Sequence, residues 1–119
     1  MMPSAAPTLR KMSVIRYPVV IEIGNEKTAY GVVVPDLPGV FSAGDTLDEA
    51  LKNAGEAILF GLEDYVERGE ALPTPTQLEL LRVGKNGKGG AEKFPPTKWD
   101  WFAVDVDISK LEQKVTRNE

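Results

Sequence analysis

The sequence predicts an α+β fold in the order β-β-β-α-β, a mainly antiparallel sheet with one long helix packed on one face. Two observations predict it. Apolar and polar residues alternate in the strand segments, as in half-buried strands, while the segment before the last strand has apolar residues at helical spacing. The 119 residues suffice for a single core. We therefore expect one domain over residues 15–108.

The first three strands come from the N-terminal half. We predict strands over residues 15–23 and 29–34, joined as a hairpin by the polar turn 24–27, and a third short strand over 40–44. Pro18 cannot donate a backbone hydrogen bond, so it favours an edge strand or the start of a strand.

The helix has the clearest boundaries. Thr46 and Glu49 have the spacing of a capping box, whose loss would cost roughly 1 kcal/mol. Gly69 is a suitable C-cap, and Pro73 prevents continuation. The apolar stripe comprises Leu47, Ala50, Leu51, Ala54, Ile58, Leu62, Tyr65 and Val66.

Residues 73–98 are rich in Pro and Gly. We expect a short helical turn at 76–81, a mobile loop over 82–98 and a final strand over 99–108. The residues of the final strand that should face the helix are Phe102, Val104, Val106 and Ile108. Those that should face solvent or a partner are Trp101, Ala103, Asp105 and Asp107.

Composition limits the chemistry. The chain has no Cys and no His, which removes thiolate catalysis, zinc–thiolate sites and the commonest general base. Its net charge of −4 disfavours unaided nucleic-acid binding and favours a basic partner. No segment has the length of a membrane span or the pattern of a secretion signal. An enzyme could still be built from carboxylates, lysines and hydroxyls, but we expect a cytoplasmic protein without a cofactor and without enzymatic activity.

A specific pattern surrounds the Pro35-Asp36-Leu37-Pro38-Gly39 sequence. An aromatic residue and an apolar strand precede it, and a short strand, Asp45-Thr46 and Leu47-Asp48-Glu49-Ala50-Leu51 follow. Together with Arg16-Tyr17-Pro18-Val19 and the last strand, this pattern resembles the HicB family, the antitoxins of HicA–HicB toxin–antitoxin pairs. The resemblance covers about residues 15–110.

The resemblance implies a domain similar to a partial RNase H fold or a double-stranded-RNA-binding domain. It implies an antitoxin that binds a small basic mRNA-cleaving HicA toxin and forms a homo-oligomer, a dimer or a tetramer. It also implies transcription regulation, with operator DNA bound through a C-terminal segment. Residues 109–119 would be a linker stub toward that segment, which we expect to be absent here, and residues 1–14 a flexible tail.

Candidate toxin-binding residues come from the bend, the start of the helix and the last strand. They are Asp36, Leu37, Pro38, Asp45, Trp101, Asp105 and Asp107. Asp36 could equally stabilise its own turn. Phe41 is expected in the core, and the Gly/Lys stretch around Lys88 is expected to be a solvated loop rather than a phosphate-binding loop. An exposed tryptophan would serve toxin binding or self-association equally well.

Two other functions remain open. The first is an RNase H-like metal-dependent nuclease, but its candidate ligands Asp36, Asp45, Glu56, Asp105 and Asp107 are not expected to converge. The second is an orphan regulatory binding module whose toxin gene is absent.

Overall fold

A computed structural model describes residues 13–85 and 87–111. Its elements are β1 (Val14–Glu22), β2 (Tyr30–Val33), β3 (Phe41–Gly44), α1 (Leu47–Glu67), α2 (Leu78–Val83) and β4 (Trp99–Asp107). The four strands form one sheet in the order β3-β2-β1-β4, and all neighbouring strands are antiparallel.

The predicted order of three strands, a long helix and a last strand is confirmed, and α2 overlaps the short helical turn expected at 76–81. The comparison with RNase H and double-stranded-RNA-binding folds stays a prediction. The expected tail up to residue 12 and the expected linker from residue 112 lie outside the described residues.

The main core lies between α1 and one face of the sheet. Ala54, Ile58 and Leu62 of α1 are fully buried there, in one cluster with Tyr17 and Val104. The predicted helix-facing side of β4 is confirmed, since Phe102, Val106 and Ile108 belong to or pack against the same cluster. Each fully buried large apolar side chain contributes roughly 1.5–3 kcal/mol, so this face supplies most of the stability.

Local sequence sets both ends of α1. Thr46 Oγ1 accepts a hydrogen bond from the amide of Glu49 at 3.1 Å, and the Glu49 carboxylate accepts from the amide of Asp45 at 3.1 Å. At the other end Gly69 has φ +72°, and the amides of Gly69 and Glu70 donate to carbonyls of the last turn. These bonds form a Schellman motif, which requires the left-handed backbone that glycine tolerates.

The second face of the sheet is exposed at Ala103, Asp105 and Asp107, as expected, but it is covered near Trp101. Val20 on this face and Leu81 of α2 are fully buried, and Trp101 is half-buried. Because Val19, Val20 and Ile21 are all apolar, β1 needs cover on both faces. The segment after α1 supplies that cover through α2, close to where a short helical turn was expected. Its expected mobility over 82–98 stays a prediction.

Pro18 lies in the middle of a central strand, not in an edge strand or at a strand start as expected. It is tolerated because β2 pairs only with Val20–Glu22, so that at Pro18 the strand has β4 as its one paired neighbour.

Next to Pro18, the Tyr17 hydroxyl donates a hydrogen bond to the carbonyl of Pro73 at 2.6 Å. Burial, followed by the charge of Asp36, raises the pKa of Tyr17 to about 12. Within residues 13–85 and 87–111, no helix has the length and apolarity needed to cross a membrane.

Candidate partner-binding surface

The bend after β2 is held together by a buried carboxylate. Asp36 is 4% exposed, and its oxygens accept from the amide of Thr76 at 2.8 Å, from the Thr76 hydroxyl at 2.6 Å and from Lys88 Nζ at 3.1 Å. These bonds tie the bend to the segment that leads into α2 and to the loop beyond it. Asp36 therefore stabilises a long-range contact rather than only its own turn.

The other two candidates in the bend, Leu37 and Pro38, differ in their exposure to solvent. Leu37 is 1% exposed and belongs to the main core, whereas Pro38 is exposed. Only Pro38 of these three residues presents its side chain to the surface. Hydrogen bonds from the amide of Leu37 to the carbonyl of Val34 and from the amide of Val40 to the carbonyl of Leu37, both 3.0 Å, fix the bend's shape.

The three candidates on β4 share one face of the strand but already have contacts within the chain. Trp101 packs edge-on against Phe94, with ring centroids 5.7 Å apart. Asp105 is exposed and accepts from Arg16 at 2.7 and 3.1 Å, an ion pair that lowers the pKa of the Asp105 carboxyl. Asp107 accepts from the amide of Ser109 at 3.0 Å, and hydrogen bonding by the Ser109 side chain, followed by that of its amide, lowers the pKa of Asp107.

Asp45 is exposed at the end of β3, and the strand order places β3 and β4 at opposite edges of the sheet. The predicted residues thus occupy three separate places rather than one continuous site. In the described part of the chain, no group of three or more His, Cys, Asp or Glu side chains could hold a metal ion. Asp36, Asp45, Glu56, Asp105 and Asp107 therefore form no such group among the described residues.

Two large aromatic residues form the most exposed apolar surface. Phe41 on β3 is 65% exposed and Phe60 on α1 is 72% exposed. Both line a groove of about 320 Å³ between the bend and α1, whose walls also include Pro38, Gly61 and Tyr65. This Phe41–Phe60 groove is the candidate partner-binding site.

The expectation that Phe41 is a core residue is wrong. Register places Phe41 opposite Val33, and Val33 opposite Val20, so Phe41 faces the second side of the sheet. It is the outermost residue of that row, on the edge strand β3, beyond the part of the face that is buried. The predicted toxin-binding residues did not include Phe60. Its exposure could have been predicted, because an aromatic residue outside the apolar stripe of a helix projects away from the core.

The groove adjoins a strongly acidic helix. The charged residues of α1 are Asp48, Glu49, Lys52, Glu56, Glu63, Asp64 and Glu67, which are all acidic except Lys52. Asp64 lines the groove itself, together with Arg68. Arg68 is engaged by Glu70 at 3.2 Å and stacks over the Tyr65 ring at 5.0 Å. The electrostatic field on this side therefore favours a positively charged partner.

A second groove of about 340 Å³ lies on the other side of the bend. Its lining includes Lys88, Lys93 and Phe94, and also Phe41, which the strand register places on the second side of the sheet. Lys88 is paired with Asp36, and Lys93 donates to the carbonyl of Gly87 at 3.1 Å. Both lysines therefore have partners within the chain, and their charge is partly compensated.

Comparison with known proteins bears on this surface. Residues 17–119 match the model of the HicB-like antitoxins of bacterial toxin–antitoxin systems. An uncharacterised 14.9 kDa protein of Haemophilus phage HP1 is 52% identical over 63 residues, which are 53% of this chain and 46% of that protein. Antitoxin HicB 2 of Photorhabdus laumondii is 37% identical over 62 residues, 52% of this chain and 43% of that antitoxin. The matched region is thus less than half the length of these relatives.

Solved structures agree in fold. The crystal structure of the Burkholderia pseudomallei antitoxin HicB has a TM-score of 0.60 and 32% identity, over 83% of this chain and 68% of that one. A chain from a HicA3–HicB3 toxin–antitoxin complex has a TM-score of 0.53 and 26% identity, over 78% and 99%. Since the family model covers most of the chain, this protein belongs to the HicB-like antitoxin family.

Proposed function

We propose that this chain is the toxin-binding domain of a type II antitoxin and that it neutralises a small basic HicA-like RNA-cleaving toxin. The observation that carries the proposal is the exposed Phe41–Phe60 groove beside an acidic helix. Membership of the antitoxin family and likeness to a chain of a HicA3–HicB3 complex support it.

The proposed mechanism is occlusion. A toxin that cleaves RNA needs a basic surface to attract phosphates, and an acidic domain bound there would exclude RNA by charge and by bulk. Such a mechanism needs no catalytic group from the antitoxin, so we propose a non-enzymatic role, in the cytoplasm where mRNA is cleaved. The sheet and α1 pre-organise the surface, which limits the entropy lost on binding.

Self-association and operator binding belong to the same proposal but have less support. The relatives extend beyond the matched region, and we propose that operator binding resides in a segment outside it. Homo-oligomerisation into a dimer or a tetramer stays a prediction, which sedimentation of the purified chain would test.

The test combines binding and cleavage. The short basic protein encoded beside the gene for this chain is purified and added to RNA, with and without this chain. We expect RNA cleavage by the toxin to stop at a stoichiometric ratio. Cleavage of RNA or RNA–DNA hybrids by this chain alone with Mg²⁺ or Mn²⁺ would instead support the nuclease alternative. Lack of a neighbouring toxin gene would support the orphan binding module.

A further inference from the structure

We infer that the face of the sheet opposite α1 binds single-stranded nucleic acid, whose bases stack on aromatic side chains and whose phosphates meet lysine and arginine. The aromatic side chains, which we call together the Phe41–Trp101 track, are Phe41, Phe94, Trp99 and Trp101. This inference does not rest on the proposed function, because it concerns a different kind of ligand and can hold or fail without it.

One row of residues crosses all four strands on this face. Phe41 is paired with Val33, and Val33 with Val20. Val20 is paired in turn with Trp101, so the two aromatic residues lie at opposite ends of the row. Because neighbouring strands are about 4.8 Å apart, the row is about 14 Å long. Phe41 is 65% exposed and Trp101 is half-buried, so both rings keep surface in contact with solvent.

Phe94 connects the two ends of the track. It lines the groove of about 340 Å³ next to the bend, together with Phe41. It also lines a groove of about 350 Å³ at the start of β4, together with Trp99 and Trp101. Its ring meets both indoles edge-on, with centroids 5.0 Å from Trp99 and 5.7 Å from Trp101. Since edge-on contacts leave more of the ring faces uncovered than stacked contacts do, the track offers surface to a planar base.

The same two grooves carry positive charge. The segment 82–98 has five Lys and Arg residues but only one carboxylate, although the whole chain has a net charge of −4. Arg82 lines the groove at the start of β4, and Lys93 lines the groove next to the bend. Both are exposed, and in the part of the chain that the structure describes neither forms an ion pair with a carboxylate. The net charge therefore conceals a local basic region that attracts phosphates.

A carboxylate in the groove at the start of β4 narrows the class of ligand. Asp100 lines this groove, and its Oδ1 accepts a hydrogen bond from the amide of Trp101 at 2.9 Å. A carboxylate repels a phosphate, but it accepts hydrogen bonds from the amino group of a base or from a ribose 2′-hydroxyl. With Arg82 in the same groove, the site suits a nucleotide, which carries hydrogen-bond donors and a phosphate together, better than a plain polyanion.

The local charge argues against other occupants of the track. A basic toxin would be repelled there, and two copies joined through their tracks would bring Arg82 and Lys93 of each copy close to like charges. Double-stranded nucleic acid keeps its bases stacked inside the duplex, so it cannot place them on the track without unpairing. A single strand is the ligand that offers free bases and phosphates together.

The experiment uses the tryptophans of the chain as the probe. The chain has two Trp residues, and both Trp99 and Trp101 belong to the track, so a base that stacks on either ring quenches the intrinsic fluorescence. A mixed-sequence single-stranded RNA of about 12 nucleotides, within the usual site sizes of about 4–16, should quench with a Kd of about 10–100 µM. Single-stranded DNA should also bind, and duplex RNA should bind at least about 10-fold more weakly.

Matched aromatic variants test the stacking argument. Phe41→Ala should weaken Kd for the single strand about 5–10-fold, because a stacking partner is lost. Phe60→Ala truncates a comparably exposed phenylalanine on α1, away from the track, and should change this Kd less than about 2-fold. Circular dichroism melts check that each variant folds.

Matched charge variants test the phosphate argument. The logarithm of the binding constant should fall with the logarithm of the salt concentration, and Lys93→Gln should make this slope shallower by about 0.7, the value for one phosphate contact of a single strand. Lys52→Gln removes the same charge from α1, where Lys52 is exposed, and should leave the slope unchanged.

The outcomes decide the assignment. Weaker single-strand binding by Phe41→Ala and Lys93→Gln, with both controls like the wild type, supports it. The assignment is wrong if the wild type shows no quenching up to about 1 mM RNA. It is also wrong if duplex RNA or poly-glutamate quenches as strongly as the single strand, or if Lys52→Gln has the effect of Lys93→Gln. Toxin inhibition measured on the same preparations tests the proposed function separately.

Discussion

Removing the Asp36 carboxylate is the most direct test of how the bend is held. Asp36→Ala deletes the acceptor of three hydrogen bonds, two from Thr76 and one from Lys88. The Asp36 side chain is fully buried, whereas the side chain of Lys88 is 48% exposed. The ammonium group can therefore return to water, but the partly buried groups of Thr76 lose their partner.

The magnitude follows from these exposures. Hydrogen bonds to a charged group contribute roughly 1.5–3 kcal/mol each, and breaking a buried ion pair costs about 3–5 kcal/mol. Because Lys88 is resolvated, we expect the lower end, about 3 kcal/mol for Asp36→Ala. Asp36→Asn keeps an acceptor for Thr76 and loses the charge, so about half that value is expected.

Urea denaturation followed by circular dichroism measures the effect. With an m-value of about 1.5 kcal/mol per M, the midpoint should fall by about 2 M for Asp36→Ala and about 1 M for Asp36→Asn. Glu26→Ala, which removes an exposed carboxylate, should stay within about 0.5 kcal/mol of the wild type. If Asp36→Ala behaves like Glu26→Ala, the carboxylate does not hold the bend, and the argument that it shapes the groove fails.

Four further substitutions test other contacts. The pKa of Tyr17 is about 12 in the folded chain and about 10 in the unfolded chain, so the free energy of unfolding includes a contribution from Tyr17 that is complete below pH 10 and is lost as the pH rises to 12. The loss is about 2–3 kcal/mol. Urea midpoints compared from pH 9 to 11.5 should therefore fall less in Tyr17→Phe than in the wild type. An equal slope in both proteins would contradict this. Thr46→Ala should lower stability by about 1 kcal/mol in thermal melts, unless the cap is dispensable. Gly55→Ala should raise the free energy of unfolding by about 0.5–1 kcal/mol, since its Cβ would lie 3.7 Å from the nearest atom. Gly61→Ala should give no increase, because its Cβ would collide with Val40. An equal increase in both variants in thermal melts would show that the bend moves away from α1 at little cost.

Much of the fold was predictable because its signals are local. The Thr46–Glu49 capping box and the stripe of α1 depend on residues within one helix, and the structure confirms both. The alternation along β4 correctly predicted which side faces α1. In each case the period of the apolar pattern fixes the direction of the side chains relative to the core, without reference to distant segments.

The errors arose where the environment comes from distant segments. Asp36 is buried because Thr76 and Lys88, far along the chain, complete its hydrogen bonds, and no local pattern encodes that contact. Phe41 is exposed because β3 is an edge strand, which depends on the order of the strands rather than on their sequence. Trp101 is half-buried because the segment after α1 covers the second face of the sheet.

The bend after β2 joins two roles that mutation can separate. Its buried side, Asp36 and Leu37, fixes the path of the chain, while its exposed side, Pro38, borders the groove with Phe41. A change on the buried side should therefore reduce stability first and binding only through the altered groove. A change at Phe41 should reduce binding at nearly unchanged stability, because most of that side chain is already in water. Under the proposed function, the bend contributes the wall of a groove rather than a charged contact, because its most polar residue, Asp36, is used up in holding the bend to Thr76 and Lys88.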